Sequence, residues 1–246
     1  MALPKIDLPV YELDLPLSKK KISFRPFLVK EQRNLLMAME SDDVDTVEQN
    51  IRQVLINCTL TEGIDFDSLP IIDVEYYFLN LRARSVGEVV QNKYKCNNEV
   101  QKDDGEMKEC GNIMDVEVNI LDIKVEQTNT LNNEIRITDN LVVKLKYPQF
   151  AFLKRAQNIE TATGLAFDMI AESIESIYDG EQFYYASESE PAEMIEFVES
   201  LNQEQFTRLE EFFLNLPKLN KRVEMDCKKC GFHHTIDVEG LESFFG

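Results

Sequence analysis

The sequence contains no tryptophan, only two histidines and only nine glycines among its 246 residues. It also lacks an apolar run of the roughly 18 residues that a membrane-spanning helix needs, so we expect no membrane span. The motifs GxxxxGK[ST], GxGxxG, HExxH and GxSxG are absent, and the adjacent histidines complete no catalytic set with a serine or cysteine. We therefore expect that the protein is not an enzyme.

The N-terminal segment MALPKIDLPVYELDLPL has neither the basic start nor the continuous apolar stretch of a secretory signal. This predicts that the chain stays in the reducing cytoplasm in which it is made. In such a compartment its five cysteines are better explained as buried thiols or metal ligands than as a disulfide framework.

Negative charge dominates the composition, with 45 Asp and Glu against 26 Lys and Arg and a net charge of −19. A phosphate backbone would be repelled by this field, so we expect no nucleic acid partner. A protein surface of basic character suits the charge better, although the excess of acid also serves simply to keep a monomer soluble. The sequence assigns no oligomeric state.

Hydrophobic periodicity predicts an α+β fold in which helices flank a central antiparallel, zinc-ribbon-like β region. The chain is expected to form a single integrated domain over residues 1–246. Its predicted parts are an extended arm (1–20), an N-terminal helical part (21–87), a β region with the first cysteine pair (88–147), a C-terminal helical part (148–218) and a second ribbon half that closes on the first (219–246).

Three apolar stripes at helical spacing define the predicted helices. The first ends at Cys58, which is most simply a core thiol. The second is followed by Gly87, which is positioned to end its helix, and residues 163–180 are expected to be helical as well. The stripes are Val44, Val47, Ile51, Val54 and Cys58; Ile72, Tyr76, Leu79, Ala83 and Val86; and Phe206, Leu209, Phe213 and Leu216.

The strongest chemical signal is a pair of Cys-Gly turns that superimpose at a constant offset of 120 residues, from Cys110 to Cys230. Each turn leads into a strand of the same alternation, and each has an earlier cysteine, Cys96 or Cys227. Four thiolates on two such turns are the ligand set of a structural Zn²⁺ site with no open coordination position. The alternative is four unligated thiols in a structural repeat.

The adjacent histidines after the second turn raise a mixed His/Cys site as another possibility. In the predicted strand, His234 falls in the inward frame and His233 in the outward frame. Only one of them can then face the cysteines, and both are better interpreted as ordinary strand residues.

Three segments, KISFRPFLVKEQRNLLMAME, YYFLNLRARSVGEVVQNKYKC and CKKCGFHHTIDVEGLESFF, resemble in this order the baseplate hub assembly proteins of T4-type contractile-tailed bacteriophages. The most distinctive motifs are Arg25 to Phe27, Arg82 to Gly87, and the terminal CxxCG with its paired phenylalanines. The long loop after Cys96 departs from the pattern, which bears on the first half of the metal site.

The resemblance implies a late-expressed factor that builds the central hub of the baseplate by binding other hub proteins. It places the protein in the host cytoplasm during assembly, or in the virion baseplate, and implies no catalysis. Arg25, Arg82, Arg84, Phe244 and Phe245 are candidate partner-binding residues. Their alternatives are pairing of the arginines with carboxylates of the same chain and packing of the phenylalanines on the ribbon.

The alternative function is that of a zinc-ribbon regulator that binds host transcription machinery. A transcription ribbon normally carries basic residues on its outward strand positions. Here those positions hold Asp115, Glu117 and Asp237, which disfavours that function.

Overall fold

The computed structural model describes residues 7–40, 44–101, 105–126, 131–159 and 161–239. Within these ranges the chain forms seven α-helices and thirteen strands, and every strand pairing is antiparallel. The predicted mixture of helices and antiparallel strands is therefore confirmed. The chain divides into two units, which are the described residues of 1–74 with 127–217 (unit 1) and those of 75–126 with 218–246 (unit 2).

Residues 7–20, the described part of the predicted extended arm, contain a strand that pairs with its own chain. Strand β1 (Tyr11–Asp14) forms an antiparallel hairpin with β2 (Lys21–Phe24), and Leu15 in the connection is buried. The strand pairing fixes the backbone conformation of this segment, which is rich in proline. The described part of this segment is thus a component of unit 1.

A buried carboxylate holds the turn of this hairpin. Asp73, near the start of α3 (Ile71–Val86), is fully shielded from solvent, and its two oxygens accept the backbone N–H groups of Leu17 and Ser18, each at 2.7 Å. Charge-assisted hydrogen bonds of this kind replace the water that a carboxylate loses on burial. The contact joins residues that are more than fifty positions apart in the sequence.

Helices α1 (Val29–Met39) and α2 (Val44–Cys58) follow the hairpin. Cys58, the last residue of α2, is fully buried, so its prediction as a core thiol is confirmed. Burial raises the pKa of this thiol to about 11, which keeps it protonated and unreactive at neutral pH.

The rest of unit 1 contains a four-stranded sheet and helices α4 to α7. The strands lie in the order β11-β10-β9-β8, and helices α5, α6 and α7 contribute to the same apolar core as the sheet. The bounds are β8 (Glu134–Arg136), β9 (Val142–Leu145), α4 (Ala151–Ala156), α5 (Ala162–Ser173), β10 (Ile174–Tyr178), β11 (Phe183–Tyr185), α6 (Pro191–Glu199) and α7 (Gln203–Leu214).

The helix predicted over residues 163–180 ends at Ser173, and the prediction is wrong for the residues beyond it. Residues 174–178 form β10, which pairs with β9 on one side and β11 on the other. The two isoleucines of β10, Ile174 and Ile177, are buried and β-branched, which favours a strand once neighbouring strands offer hydrogen bonds. Tertiary pairing has overridden a local helical pattern here.

The stripe predicted on α7 is confirmed at its first two positions. Phe206 and Leu209 are buried in the core of unit 1, and Phe206 stacks on Phe167 with ring centroids 4.4 Å apart. The third deeply buried position is Phe212 rather than Phe213, and Leu216 lies beyond the end of the helix.

Unit 2 consists of most of α3 and two long hairpins with shorter strands beside them. Gly87 follows the last residue of α3 with φ +136°, a conformation that side chains disfavour, so its prediction as the helix stop is confirmed. The strands are β3 (Val89–Lys95), β4 (Glu99–Gln101), β5 (Met107–Glu109), β6 (Ile113–Asn119), β7 (Lys124–Glu126), β12 (Lys218–Asp226) and β13 (His233–Glu239).

Helix α3 is buried over a wider face than the predicted stripe. Leu79 and Ala83 are buried as expected, but Val86 is 53% exposed, and Tyr77 and Phe78 are almost fully buried. A helix buried around most of its circumference has no single stripe, so the periodicity located only part of its core face.

In the part of the chain that the structure describes, no helix combines the length and the apolar composition needed to cross a membrane.

The substitution Asp73→Ala is expected to lower the free energy of unfolding by about 2–4 kcal/mol, because it leaves two backbone donors without their charged acceptor. Urea unfolding measures this, and amide exchange at Leu17 and Ser18 should accelerate. The matched control is Glu62→Ala, which removes an exposed carboxylate and should change the stability little. Equal stability of the two variants would contradict the role assigned to Asp73.

Candidate metal centre

Two hairpins of unit 2 present their cysteines on turns of the same construction. Strand β3 pairs with β6 and is followed by Cys96, and β12 pairs with β13 and is followed by Cys227. The N–H of Cys96 donates to the carbonyl of Asn112 at 2.8 Å, and the N–H of Cys227 donates to that of Phe232 at 2.9 Å. The superposition of the two turns predicted from the sequence is confirmed in the backbone.

The glycine after the second cysteine closes each turn. Gly111 donates its N–H to the carbonyl of Cys96 at 3.0 Å, and Gly231 donates to that of Cys227 at 2.8 Å. Both glycines have positive φ, +64° and +73°, which a residue with a Cβ rarely adopts. The Cys-Gly pairs are therefore required by the geometry that turns the sulfurs inward.

The four cysteines predicted as ligands lie together. The Sγ atoms of Cys96 and Cys230 are 3.7 Å apart, those of Cys110 and Cys227 are 3.8 Å apart, and all four lie within 4.8 Å of one another. A tetrahedral ion with metal–sulfur bonds of about 2.3 Å would place its ligand atoms about 3.8 Å apart. The donor set therefore fits a tetrahedral metal ion without rearrangement of the hairpins.

The segment between Cys96 and Cys110 does not separate these two residues. Strands β4 and β5 pair with each other within it, and the N–H of Cys110 donates to the carbonyl of Asn98 at 2.7 Å. The extra length is thus accommodated as a separate hairpin, while the cysteines at its base keep the spacing of a tight turn.

Backbone amides point at the sulfurs and stabilise negative charge on them. The amides of Cys230 and Lys229 donate to the Cys227 sulfur and lower the pKa of that thiol to about 6. Cys96 receives the amide of Asn98, but its burial dominates and raises its pKa to about 12. Without a metal, the first thiolate to form in the cluster is therefore expected at Cys227.

Two asparagine side chains that the sequence analysis passed over contact the sulfurs of the opposite hairpin. Asn98 Nδ2 lies 3.7 Å from Cys230 Sγ, and Asn112 Nδ2 lies 3.5 Å from Cys227 Sγ. A signal for them was present, because each asparagine stands two residues after a cysteine of the first pair.

His234 also reaches the cluster. It is buried on the inward strand face, as predicted, and its Nε2 lies 3.1 Å from Cys96 Sγ. The rings of Phe232 and Tyr94 pack beside it at 4.8 and 5.5 Å. The interpretation of His234 as an ordinary strand residue therefore omitted this contact, whereas His233 is exposed and pairs with Asp226 at 2.8 Å.

Two of the candidate partner-binding arginines, Arg25 and Arg84, pair with carboxylates of their own chain. Arg25 pairs with Glu31 at 3.1 Å and donates to the carbonyl of Asn57, and Arg84 pairs with Glu88 at 3.0 Å. Arg82 is half-buried. Arg25 and Arg84 thus match the intramolecular alternative, and a partner-binding role for all three arginines stays a prediction. Phe244 and Phe245 lie outside the described residues.

Comparison with known proteins covers nearly the whole chain. The family model described as T4 bacteriophage base plate protein matches residues 8–246. The chain is also 21% identical, over 96% of its length and 97% of the relative, to the baseplate hub assembly protein gp26 of Enterobacteria phage T4. No solved structure matches it.

The substitution Cys227→Ser is expected to reduce the metal content of protein purified with zinc from about one equivalent per chain to well below half, because three sulfurs remain where four are needed. Elemental analysis after desalting measures this. Cys58→Ala is the matched control, since Cys58 is buried outside the cluster and should keep the full equivalent. Equal metal content in the two variants would contradict the assignment.

Proposed function

The chain belongs to the T4 bacteriophage base plate protein family, and from this premise we propose that it acts in the baseplate hub, as an assembly factor or as a hub component, by binding other baseplate proteins. The observation that carries this proposal is the family match over residues 8–246, together with a relative whose name gives hub assembly as its role. The protein acts in the host cytoplasm during assembly and is carried into, or contributes to, the virion baseplate.

In this proposal, the four-cysteine cluster binds one structural zinc ion. Cys96, Cys110, Cys227 and Cys230 would be its ligands, and zinc would supply a cross-link between the two hairpins of unit 2. The residues of the chain hold the sulfurs in place through the cysteine turns, and they orient them through side-chain contacts from Asn98, Asn112 and His234.

A closed set of four thiolates supports a structural role and not a catalytic one. Catalytic zinc keeps a coordination position for water or substrate, which four cysteine ligands do not leave. Among the described residues, the cysteine cluster is the one group of three or more His, Cys, Asp or Glu side chains placed to hold a metal ion. The absence of catalytic motifs from the sequence supports the same conclusion, that the protein works by binding.

The surface of the first ribbon hairpin supports protein partners over nucleic acid. The side chains of Asp115 and Glu117 on β6 are exposed and acidic, where a ribbon that contacts a phosphate backbone would carry basic residues. With a net charge of −19, the chain is suited to partners with basic surfaces.

Loss of the zinc site is expected to prevent hub assembly. In phage whose own copy of this protein is inactivated, Cys227→Ser supplied in trans should fail to restore baseplate hubs, and Cys58→Ala should restore them. Limited proteolysis of the purified Cys227→Ser protein should show new cleavage within residues 88–126 and 218–239, because the two hairpins lose their cross-link. Normal hubs together with unchanged digestion would show that the site is dispensable.

The hub role itself is tested by the partners recovered from infected cells. We expect baseplate hub proteins to co-purify with the wild-type chain. Recovery of host RNA polymerase in their place would contradict the hub role and support the regulatory alternative.

A further inference from the structure

One edge of the four-stranded sheet in unit 1 is both exposed and aromatic. Strand β11 is the terminal strand and, among the described strands, pairs with β10 alone. The side chains of Phe183, Tyr184 and Tyr185 are exposed, by 58%, 43% and 46%. Soluble proteins usually guard such an edge by keeping the strand short, by placing lysine, proline or a bulge in it, or by covering it. β11 is short, at three residues, but it carries no lysine or proline. The opposite edge, β8, carries the exposed charges of Glu134 and Arg136.

The aromatic side chains of this edge form a continuous row. The register places Phe183 opposite Tyr178 and Tyr185 opposite Ser176, so the rings of Tyr178, Phe183 and Tyr185 share one face of the sheet. Neighbouring ring centroids are 4.7 and 6.1 Å apart. A row of rings along an edge strand offers a surface on which the alternate side chains of an added strand can pack.

Concave surface adjoins the row at both of its ends. A cavity of about 180 Å³ lies beside Tyr178 and Phe183, with Val142 and Lys144 on its other wall. A larger cavity of about 450 Å³ begins at Tyr185 and extends over Ile174 to Met194. The larger cavity, at the Tyr185 end, offers space for a side chain of an extended segment that follows β11, whereas the smaller one lies over β8 to β10.

The charge around β11 selects the occupant. Residues 179–190 contain four carboxylates and no lysine or arginine. Three cations, Lys144, Lys146 and Arg155, line the adjoining cavities, where Lys144 pairs with Glu175 and Arg155 with Glu172, so acidic groups remain in excess. Glu181, Glu188 and Glu190 are exposed, and Asp179 accepts the hydroxyl of Tyr184 at 2.9 Å. Two copies of this edge would set carboxylates against carboxylates, which disfavours self-pairing. Cations fit the site, because they are attracted both by carboxylates and by the faces of aromatic rings.

We propose that β11 is a docking strand for an extended segment of another baseplate protein that carries lysine or arginine at alternate positions. The segment adds to the edge of the sheet through backbone hydrogen bonds, and its basic side chains lie on the aromatic row. This inference rests on the proposed function, since it names the surface and the partner chemistry through which the chain binds.

A peptide of the proposed chemistry tests the surface directly. The probe is acetylated VKVKVKV amide, and its controls are VEVEVEV and VKVKVKV with alternate backbone nitrogens methylated, which removes the donors that strand addition needs. We expect the lysine peptide to bind the zinc-loaded chain, to slow amide exchange within residues 183–185, and to bind more weakly as salt increases. The glutamate and methylated peptides should bind at least about tenfold more weakly.

The protein variants complete the test. The Phe183→Ala, Tyr185→Ala double variant should bind the lysine peptide about tenfold more weakly, because it loses the ring faces that attract the cations. Leu214→Ala removes an exposed apolar side chain that lines neither cavity and should bind normally. Equal binding of the lysine and glutamate peptides, or unchanged binding by the double variant, would overturn the proposal.

Complementation separates this inference from the proposed function. The double variant should keep its zinc and its thermal unfolding temperature and yet fail to restore hubs. If it restores hubs while Cys227→Ser does not, the docking strand is overturned and the hub role stands. If the wild type sediments as a dimer and the double variant as a monomer, the occupant is a second copy of the chain, which also overturns the proposal.

Discussion

The convergence of four sulfur atoms from two distant hairpins is the constraint on which unit 2 depends. The paired sulfurs belong to residues 117 and 134 positions apart in the sequence, so the contact fixes the ends of a long loop. The buried cluster immediately around them is small and consists of three of the cysteines and Met114. This cluster has little apolar area of its own, so a bound metal would contribute much of the free energy that holds the two cysteine turns together.

Unit 1 is stabilised in a different way. Its core combines the aliphatic side chains of the sheet with aromatic residues of α7, and it includes none of the four cysteines. The buried carboxylate of Asp73 adds a polar contact that orders the N-terminal hairpin. Unit 1 therefore has an apolar core that needs no metal. The exposed edge strand β11 of its sheet remains available to bind a partner.

Sequence reasoning succeeded where local chemistry determines the structure. The Cys-Gly turns, the buried Cys58 and the helix stop at Gly87 each follow from a residue type with few conformational alternatives. It failed where the structure depends on contacts with residues that are distant in the sequence. Residues 174–178 become a strand only because β9 and β11 pair with them, and the contact of His234 with Cys96 depends on a residue 138 positions away. The edge position of β11 could not be predicted either, because strand order is a property of the assembled sheet.

X-ray absorption at the zinc edge tests the central claim most directly, because it reports the atoms bound to the metal. The account predicts four sulfur neighbours at about 2.3 Å in the zinc-loaded wild-type chain. A first coordination shell of three sulfurs and one nitrogen would indicate that His234 replaces one of the cysteines as a ligand. A shell with two or fewer sulfurs, completed by oxygen or nitrogen atoms, would contradict a closed four-cysteine site. It would also contradict the structural role given to the metal.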